Sequence, residues 1–460
     1  MDFKKYFFIG IGGAGMSAIA LVLKGMGNQV SGSDIKRSRY TAILENEGIK
    51  VYTSHDPSNL GDSEIVVYSA AIPYDNVEMA EARKRNLDIM GRSDILAQIL
   101  NSKKGIAISG THGKTTTTSM VSLLLRGSDL DPTIIIGGEL NELGSNARCG
   151  KGDYVVAEAC ESDGSFLKYN PYISLITNIE EDHMDYYKDY GNLKKSFLKF
   201  IENTSKGGFV IIDGDEVDLE GNTGKRMVSY GFGAENDLCA KDIRYANFGS
   251  SYSLEIKGKK DGKIKVRLNV PGIHNVKNSL AALSVCYCLG MDLRKTAELM
   301  QFFTGVKRRF EKRGEKKGAL IFDDYAHHPS EVKATLAAAA REKKNRVVTV
   351  FQPHRYSRLS NLLGKFGKCF IECDILVITD VYGAGEQPLL GISGKAIIDE
   401  LSETGFENSM AYIPKLEDVV KYLELNIKKD DLVLLMGAGD ITRVTEELLK
   451  AKGDDDKLLG

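Results

Sequence analysis

Residues Gly110-Thr111-His112-Gly113-Lys114-Thr115-Thr116 set a lysine and two threonines directly after a pair of glycines, behind an apolar run. Glycines in such a turn let backbone N–H groups face a polyphosphate, and a helix starting there adds its N-terminal dipole. Lys114 would neutralise β- and γ-phosphate oxygens, and Thr115 would offer a hydroxyl to Mg²⁺. The general phosphate-loop pattern has four residues between its glycines. Here Thr111 and His112 alone intervene, and Ile108 stands where the first glycine would fall. The shorter form points to a narrower group than nucleoside triphosphatases at large.

Two further segments could complete a metal site. The apolar run 154–157 ends in Glu158, and a carboxylate at the C-terminal end of a strand can hold a cation directly or through water. Taken alone, Glu158 reads equally as a strand-end charge. Glu161 and Asp163 are weaker candidates, readable as caps of the next turn. His183, one of 7 histidines, lies in a polar loop after the apolar run 173–177. Solvated-surface and metal-ligand readings start even for it. The second gains weight because loops after parallel strands share one edge, which would also carry Lys114 and Glu158.

A second glycine-rich turn opens the chain. Gly10-Ile-Gly12-Gly13-Ala14-Gly15 follows a short apolar strand, and Asp34 ends the next expected strand about 20 residues on, as in a dinucleotide-binding unit. That pattern alone reads as NAD binding. A UDP-sugar presents the same diphosphate, and the extra Gly13 and the separate ATP loop favour it over redox chemistry. Ser69, at the end of a later strand, would admit the rest of that nucleotide.

The elements that position these residues read as α/β throughout: short apolar runs with helical stretches between them. Strands are expected over 6–9, 30–34 and 64–68, then 106–109, 154–158, 173–177 and 209–212, and then 320–322, 346–351, 375–379 and 432–436. A boundary is expected at 103–105. Residues 251–257 and 263–269 alternate and predict an antiparallel insertion within 226–270, with Asp-Gly hairpin chemistry at 261–262. The acidic tail 453–457 reads as a disordered end.

At 460 residues the chain has room for about three domains. Its 61 basic and 63 acidic side chains nearly cancel, giving no electrostatic reason to expect nucleic acid or an anionic membrane. The first residues lack a signal-peptide pattern, no run reaches the length of a membrane span, and the 7 cysteines, Cys286 and Cys288 included, read as reduced thiols. A cytoplasmic enzyme, monomeric or dimeric, is the expectation.

These segments together resemble the Mur ligases of peptidoglycan synthesis, over almost the whole length and in the family's order. The matching stretches are 10–17, 110–116, 158–166, 177–185, 272–278, 308–310, 323–329, 351–358, 382–386 and 437–441, and they hold every histidine except His55. The resemblance implies three domains: a Rossmann-like unit over 1–103 for the UDP-sugar, a P-loop-type ATPase unit with the β-rich insertion over 104–304, and a Rossmann-like unit over 305–460 for the amino acid. It implies UDP-N-acetylmuramate, L-alanine and ATP as substrates, Mg²⁺ (with Mn²⁺ as alternative) as cofactor, and an acyl-phosphate route to the amide. By the same resemblance the loop 110–116 binds ATP, Thr115, Glu158 and His183 bind the metal, and Gly12, Gly13, Ala14, Gly15, Asp34 and Ser69 bind the UDP-sugar. His274, Asn275 and Asn278 place the adenine end, although the same amides would also cap a helix. Arg309 and Asp324 close over ATP, the Arg309 fork suiting the γ-phosphate. Tyr325, His327, Arg355 and Arg358 surround the alanine and the sugar's carboxylate, with His327 as candidate proton acceptor. Other members use a carbamylated lysine after the His183 segment; neither Lys188 nor Lys194-Lys195 presents that context, which agrees with alanine addition. Three rivals stand beside this reading: an NAD-dependent oxidoreductase, an ATP-hydrolysing switch, and the ligase that recycles a preformed peptide onto the same sugar nucleotide.

Overall fold

A computed structural model describes residues 3–140, 145–219, 224–259 and 263–450. The tail at 453–457 and the hairpin tip at 261–262 lie outside the described residues. Three sheets follow one another along the chain. In the first, β1 (Lys5–Ile9), β2 (Gln29–Ser33), β3 (Lys50–Tyr52), β4 (Ile65–Tyr68) and β5 (Asp88–Gly91) lie in the order 3-2-1-4-5, all parallel. Phe7, Phe8 and Ile9 are fully buried, as expected for a strand covered by helices on both faces.

The central sheet has ten strands: β6 (Lys104–Ser109), β7 (Thr133–Leu140), β8 (Ser145–Arg148), β9 (Tyr154–Glu158), β10 (Ile173–Ile176), β11 (Phe209–Asp213), β12 (Arg226–Gly231), β13 (Leu238–Ala246), β14 (Gly249–Ile256) and β15 (Ile264–Leu268). β6 runs between β9 and β10, parallel to both, so the loops after all three open on one edge. The expected antiparallel insertion needs one correction. β13, β14 and β15 are antiparallel, but β12 pairs parallel with β11, so the segment extends the central sheet instead of standing apart from it.

The third sheet orders β16 (Glu311–Lys316), β17 (Ala319–Asp324), β18 (Val347–Phe351), β19 (Ile375–Ile378), β20 (Ser409–Tyr412) and β21 (Leu432–Met436) as 16-17-21-18-19-20, with β16 antiparallel at one edge. Every residue of β18 and β21 is buried. No helix among the described residues is long and apolar enough to cross a membrane. All seven cysteines are free thiols.

The helix Lys114–Arg126 begins with four threonines, whose branched side chains are poor helix formers. Packing overrides propensity there. Thr118 and Ser122 donate their hydroxyls to the carbonyls four residues back, and Thr117 donates to Asn278 on the helix Ile273–Cys288.

Candidate active site

The phosphate loop is built from two close approaches. Gly110 (φ +129°) sits where an added Cβ would meet Thr177 Oγ1 at 2.1 Å, and Gly113 (φ +81°) where it would meet Asn278 Oδ1 at 2.6 Å. No side chain larger than hydrogen fits either position. Thr111 and His112 take their backbone N–H partners from Asn178, so the loop is fastened to the neighbouring strand end.

Lys114 is not free. Its ammonium donates to the Gly110 and Thr111 carbonyls and pairs with Glu161 at 3.0 Å. Glu161 is 2% exposed, so burial of both partners makes the pair exclusive. Burial works against the Lys114 charge, but the Glu161 carboxylate more than offsets it and holds the ammonium above its usual value. Sequence reasoning ranked Glu161 low because a carboxylate in a Ser/Asp/Gly turn looks like a cap. Asp163 is that cap, accepting from the Ser165 N–H at 3.0 Å.

Thr115 donates its hydroxyl to Glu158 at 3.1 Å, and Gly137 N–H donates to the other Glu158 oxygen at 2.7 Å. Burial pushes the Glu158 carboxyl up, a desolvation cost that a nearby cation would relieve. His183 lies beyond Lys114, its Nε2 3.7 Å from Glu161 and 3.5 Å from Asp182, in a left-handed backbone conformation (φ +58°) unusual for a non-glycine residue. Burial lowers its imidazole, which favours the neutral form that a metal requires. A hydroxyl, a desolvated carboxylate and a neutral imidazole flanking a phosphate loop are a donor set that fits a divalent cation.

A cavity of about 530 Å³ leads from the loop along the start of the helix Ile273–Cys288, lined by His112, Gly113, Thr116, His274, Asn275 and Asn278 among others. Burial, with Arg309 nearby, lowers the His274 imidazole to about 4, leaving a neutral ring. Asn275 and Asn278 are linked at 3.3 Å and Asn275 also donates to the Pro271 carbonyl, but neither amide caps the helix, whose N-cap is Gly272. Phe232, Lys277 and Asp213 close the far end, with Lys277 paired to Asp213 at 2.8 Å. None of these three carried a sequence signal.

The third domain covers this edge. Arg309 reaches over the Tyr325 ring (5.1 Å) and lies 3.7 Å from Glu331. Asp324 lines the cavity and also braces the backbone beside it. Its oxygens accept the Phe310 and Ala326 N–H groups at 2.9 and 2.7 Å, which fixes the turn carrying Arg309. His327 stacks edge-on against Tyr325, Nδ1 3.0 Å from the Tyr325 carbonyl, with the His354 ring 6.0 Å away. Arg358 bonds His354 Nδ1 at 3.0 Å and lies 3.5 Å from Asp182, next to His183. Arg355 caps the same helix in a left-handed conformation (φ +65°) and lines a small recess with His183. His354, held between Tyr382 and Arg358, lies in the stretch 351–358, where spacing alone does not single it out.

The first glycine-rich loop lies in the other α/β unit. Asp34 accepts from Gly12 N–H at 2.9 Å and from Lys36 N–H at 3.0 Å, so its carboxylate braces the loop. Gly13 caps the helix Ala14–Gly25, whose Gly15 faces the Arg92 guanidinium, and Ser69 abuts Gly10. Asn146 of the central domain donates to the Ala14 carbonyl and joins this loop's helix to the ATP-side sheet. His55 is bound 2.8 Å from the fully buried Glu78, which also takes Ser33 and Asn59, a structural cluster behind Asp34.

Profiles of known families match all three units: "Mur ligase family, catalytic domain" over 5–104, "Mur ligase middle domain" over 108–286, and "Mur ligase, glutamate ligase domain" over 308–439. The chain is 43% identical to a UDP-N-acetylmuramate–L-alanine ligase of Pelotomaculum thermopropionicum across 100% of both chains. Its fold is similar to the crystal structure of a UDP-N-acetylmuramate–alanine ligase from Thermotoga maritima, with TM-score 0.82, 31% identity, and 97% of this chain and 98% of that chain covered. A murein peptide ligase from Psychrobacter arcticus shares the fold at TM-score 0.73 and 22% identity, over 98% and 99% of the two chains.

Proposed function

This chain belongs to the Mur ligase family, and from that premise we propose that it joins L-alanine to the lactyl carboxylate of UDP-N-acetylmuramate, driven by cleavage of ATP to ADP and phosphate. The reaction is placed in the cytoplasmic stage of peptidoglycan synthesis. The observation that carries the reading is a single cleft edge. There Asp182 and His183 link the phosphate loop to the Arg358, His354 and His327 cluster, so a γ-phosphate and an amine acceptor would meet. The first domain (1–103) would present the sugar nucleotide, the second (104–304) ATP, and the third (305–460) the amino acid.

A carboxylate is too weak an electrophile for amide formation until its oxygen is phosphorylated. The lactyl carboxylate would attack the γ-phosphorus; the bond to the β-phosphate oxygen breaks, giving an acyl phosphate and ADP. The alanine amine would then attack the acyl carbon, and phosphate would leave from a tetrahedral intermediate. Phosphoryl transfer of this kind depends on positioning and charge neutralisation. Lys114 would exchange its Glu161 partner for phosphate oxygens, and Arg309 would exchange Glu331 in the same way. Thr115, Glu158 and His183 would hold Mg²⁺, or Mn²⁺ in its place, which supplies further neutralisation of the transferring group. Asp324 would act as a positioning residue through the turn it fixes. His327 directs Nδ1 at the Tyr325 carbonyl, leaving Nε2 to take the proton that the alanine ammonium must lose. Burial holds that ring at about 4 in the ligand-free cleft, so it is neutral and able to accept. Arg355 and Arg358 would hold carboxylates, and closure of the third domain would keep water from the acyl phosphate.

The test is ADP release with each acceptor in turn: alanine, serine, glycine and a tripeptide. Release should require UDP-N-acetylmuramate and be fastest with alanine. Release without any acceptor would instead favour a hydrolytic switch, and preference for the tripeptide would favour peptide recycling.

A further inference from the structure

Where the third domain meets the phosphate loop, two histidines and two glutamates from both sides converge. His112 belongs to the loop and Glu180 to the segment after β10; His328 and Glu331 sit at the N-terminus of the helix Pro329–Glu342. Among the described residues, His112, Glu180 and His328 are the one group of three such side chains whose ligating atoms all lie within 4.8 Å of one another. His112 Nε2 and His328 Nδ1 lie 3.6 and 3.8 Å from the same Glu180 oxygen. Four-coordinate zinc holds nitrogen and oxygen ligands at about 2.0–2.2 Å, which sets neighbouring ligand atoms roughly 3.4 Å apart. The two histidine–Glu180 distances are within a few tenths of an ångström of that spacing, and the two imidazole nitrogens lie within 4.8 Å of one another.

Two further observations point the same way. His112 Nε2 is buried and makes no hydrogen bond, and His328 beside it is only 4% exposed. On the other side of the His112 ring, Nδ1 lies 3.2 Å from Glu331. A carboxylate on the far nitrogen fixes the tautomer and turns the opposite lone pair toward a metal. Glu180 supplies the anionic oxygen, already steadied by the Ser330 hydroxyl.

We propose that His112, Glu180 and His328 form a second metal site, for a divalent transition ion of the zinc type, distinct from the oxygen-rich site at Thr115 and Glu158. One ligand lies on the phosphate loop and another on the third domain, so a bound ion clasps the two domains together and inhibits turnover. His328 would give up its weak bond to the Ser330 N–H (3.4 Å) to coordinate, and water would complete the shell.

The probe is Zn²⁺ itself, titrated into the full chain without nucleotide and in millimolar Mg²⁺, which occupies oxygen donors in preference to imidazole. One Zn²⁺ per chain is expected, with affinity at least about tenfold weaker in both Glu180→Gln and His328→Ala. Co²⁺ should give the visible band of four-coordinate geometry in the unaltered chain and lose it in both variants. Glu180→Gln keeps size and leaves the His328 helix cap intact, so it stands as the test if His328→Ala does not fold. Absence of uptake above the Mg²⁺ background, unchanged affinity in Glu180→Gln, or loss of uptake in Glu158→Gln instead would each overturn the proposal. None of these readouts depends on which acceptor the ligase uses.

Discussion

The two glycine-rich loops share a plan, strand then glycines then helix, and differ in what surrounds them. Around Gly10 to Gly15 the charge is spent on the protein's own backbone: Asp34 holds the Gly12 and Lys36 N–H groups, and Arg92 lies against Gly15 near the surface. Around Gly110 to Thr116 there is a buried ammonium with a buried counterion, a desolvated carboxylate and a neutral imidazole. Both loops lead from a strand into the N-terminus of a helix. Only the second holds groups whose charge is held in reserve for a phosphate in transfer. Backbone geometry is enough for binding; chemistry needs polar side chains taken out of water and paired with partners that a substrate can displace.

The sharpest way to break that contrast is to remove the reserved charge. Lys114→Ala should lower kcat by at least about 10³-fold, the scale of losing a main electrostatic contact to the transferring group. The circular dichroism spectrum should be unchanged. Near-normal turnover would remove the loop from the chemistry. Glu158→Gln should raise the Mg²⁺ concentration needed for half-maximal rate by roughly 10²-fold with less effect at saturating metal; an unchanged metal requirement would unseat Glu158 as a ligand. In the first loop Asp34→Asn should behave differently. It loosens a brace, so KM for the sugar nucleotide should rise about tenfold, or 1.4 kcal/mol, while kcat stays within about twofold. A fall in kcat with KM unchanged would place the first loop in the chemistry too and erase the distinction.

Much of this was legible before any coordinates. Every strand expected from an apolar run exists within a residue or two, because fully buried parallel strands leave continuous hydrophobic stretches such as 432–436. Four strands without a sequence expectation are edge strands or short polar ones, Lys50–Tyr52, Asp88–Gly91, Glu311–Lys316 and Ser409–Tyr412, which carry no pattern; Thr133–Leu140, with Ile134, Ile135 and Ile136 buried, and its partner Ser145–Arg148 were passed over although the first holds an apolar run. The site divides in the same way. Residues in glycine-rich or strand-end contexts announce themselves, as Lys114, Glu158 and His183 do. Glu161 and Glu331 do not, because their importance lies in which cation they hold across the fold, 47 residues away for Glu161 and Lys114. Asp34 and Asp324 were expected near the nucleotides from their position; that each also accepts backbone N–H groups is something no spacing rule could reveal.

The interface that brings the third domain onto the second loop offers the smallest and most specific test. His112 is opposed by burial, but Glu331 and then Glu180 raise its imidazole to about 9. Burial and then the His112 charge lower His328, whose ring lies 4.7 Å away, and Arg309 shares Glu331 with His112. A group whose pKa is raised in the closed form contributes stability that is complete below its free value near 6.5 and is lost as pH rises through about 9. The closed interface should therefore weaken by on the order of 1 kcal/mol between pH 7 and 8. Glu180, depressed to about 2 with His112 the leading favourable cause against burial, acts with the opposite sign and matters only in acid. Protease susceptibility at the junction near residue 305, measured across that range, should rise with pH in the unaltered chain. It should be higher throughout and flat in His112→Gln. The Gly10 loop has no group titrating in that window with a shifted value, so cleavage near the 103–105 junction should stay constant. A parallel rise at both junctions would mean that pH loosens the whole molecule, and that the paired histidine is not what holds the third domain on the phosphate loop.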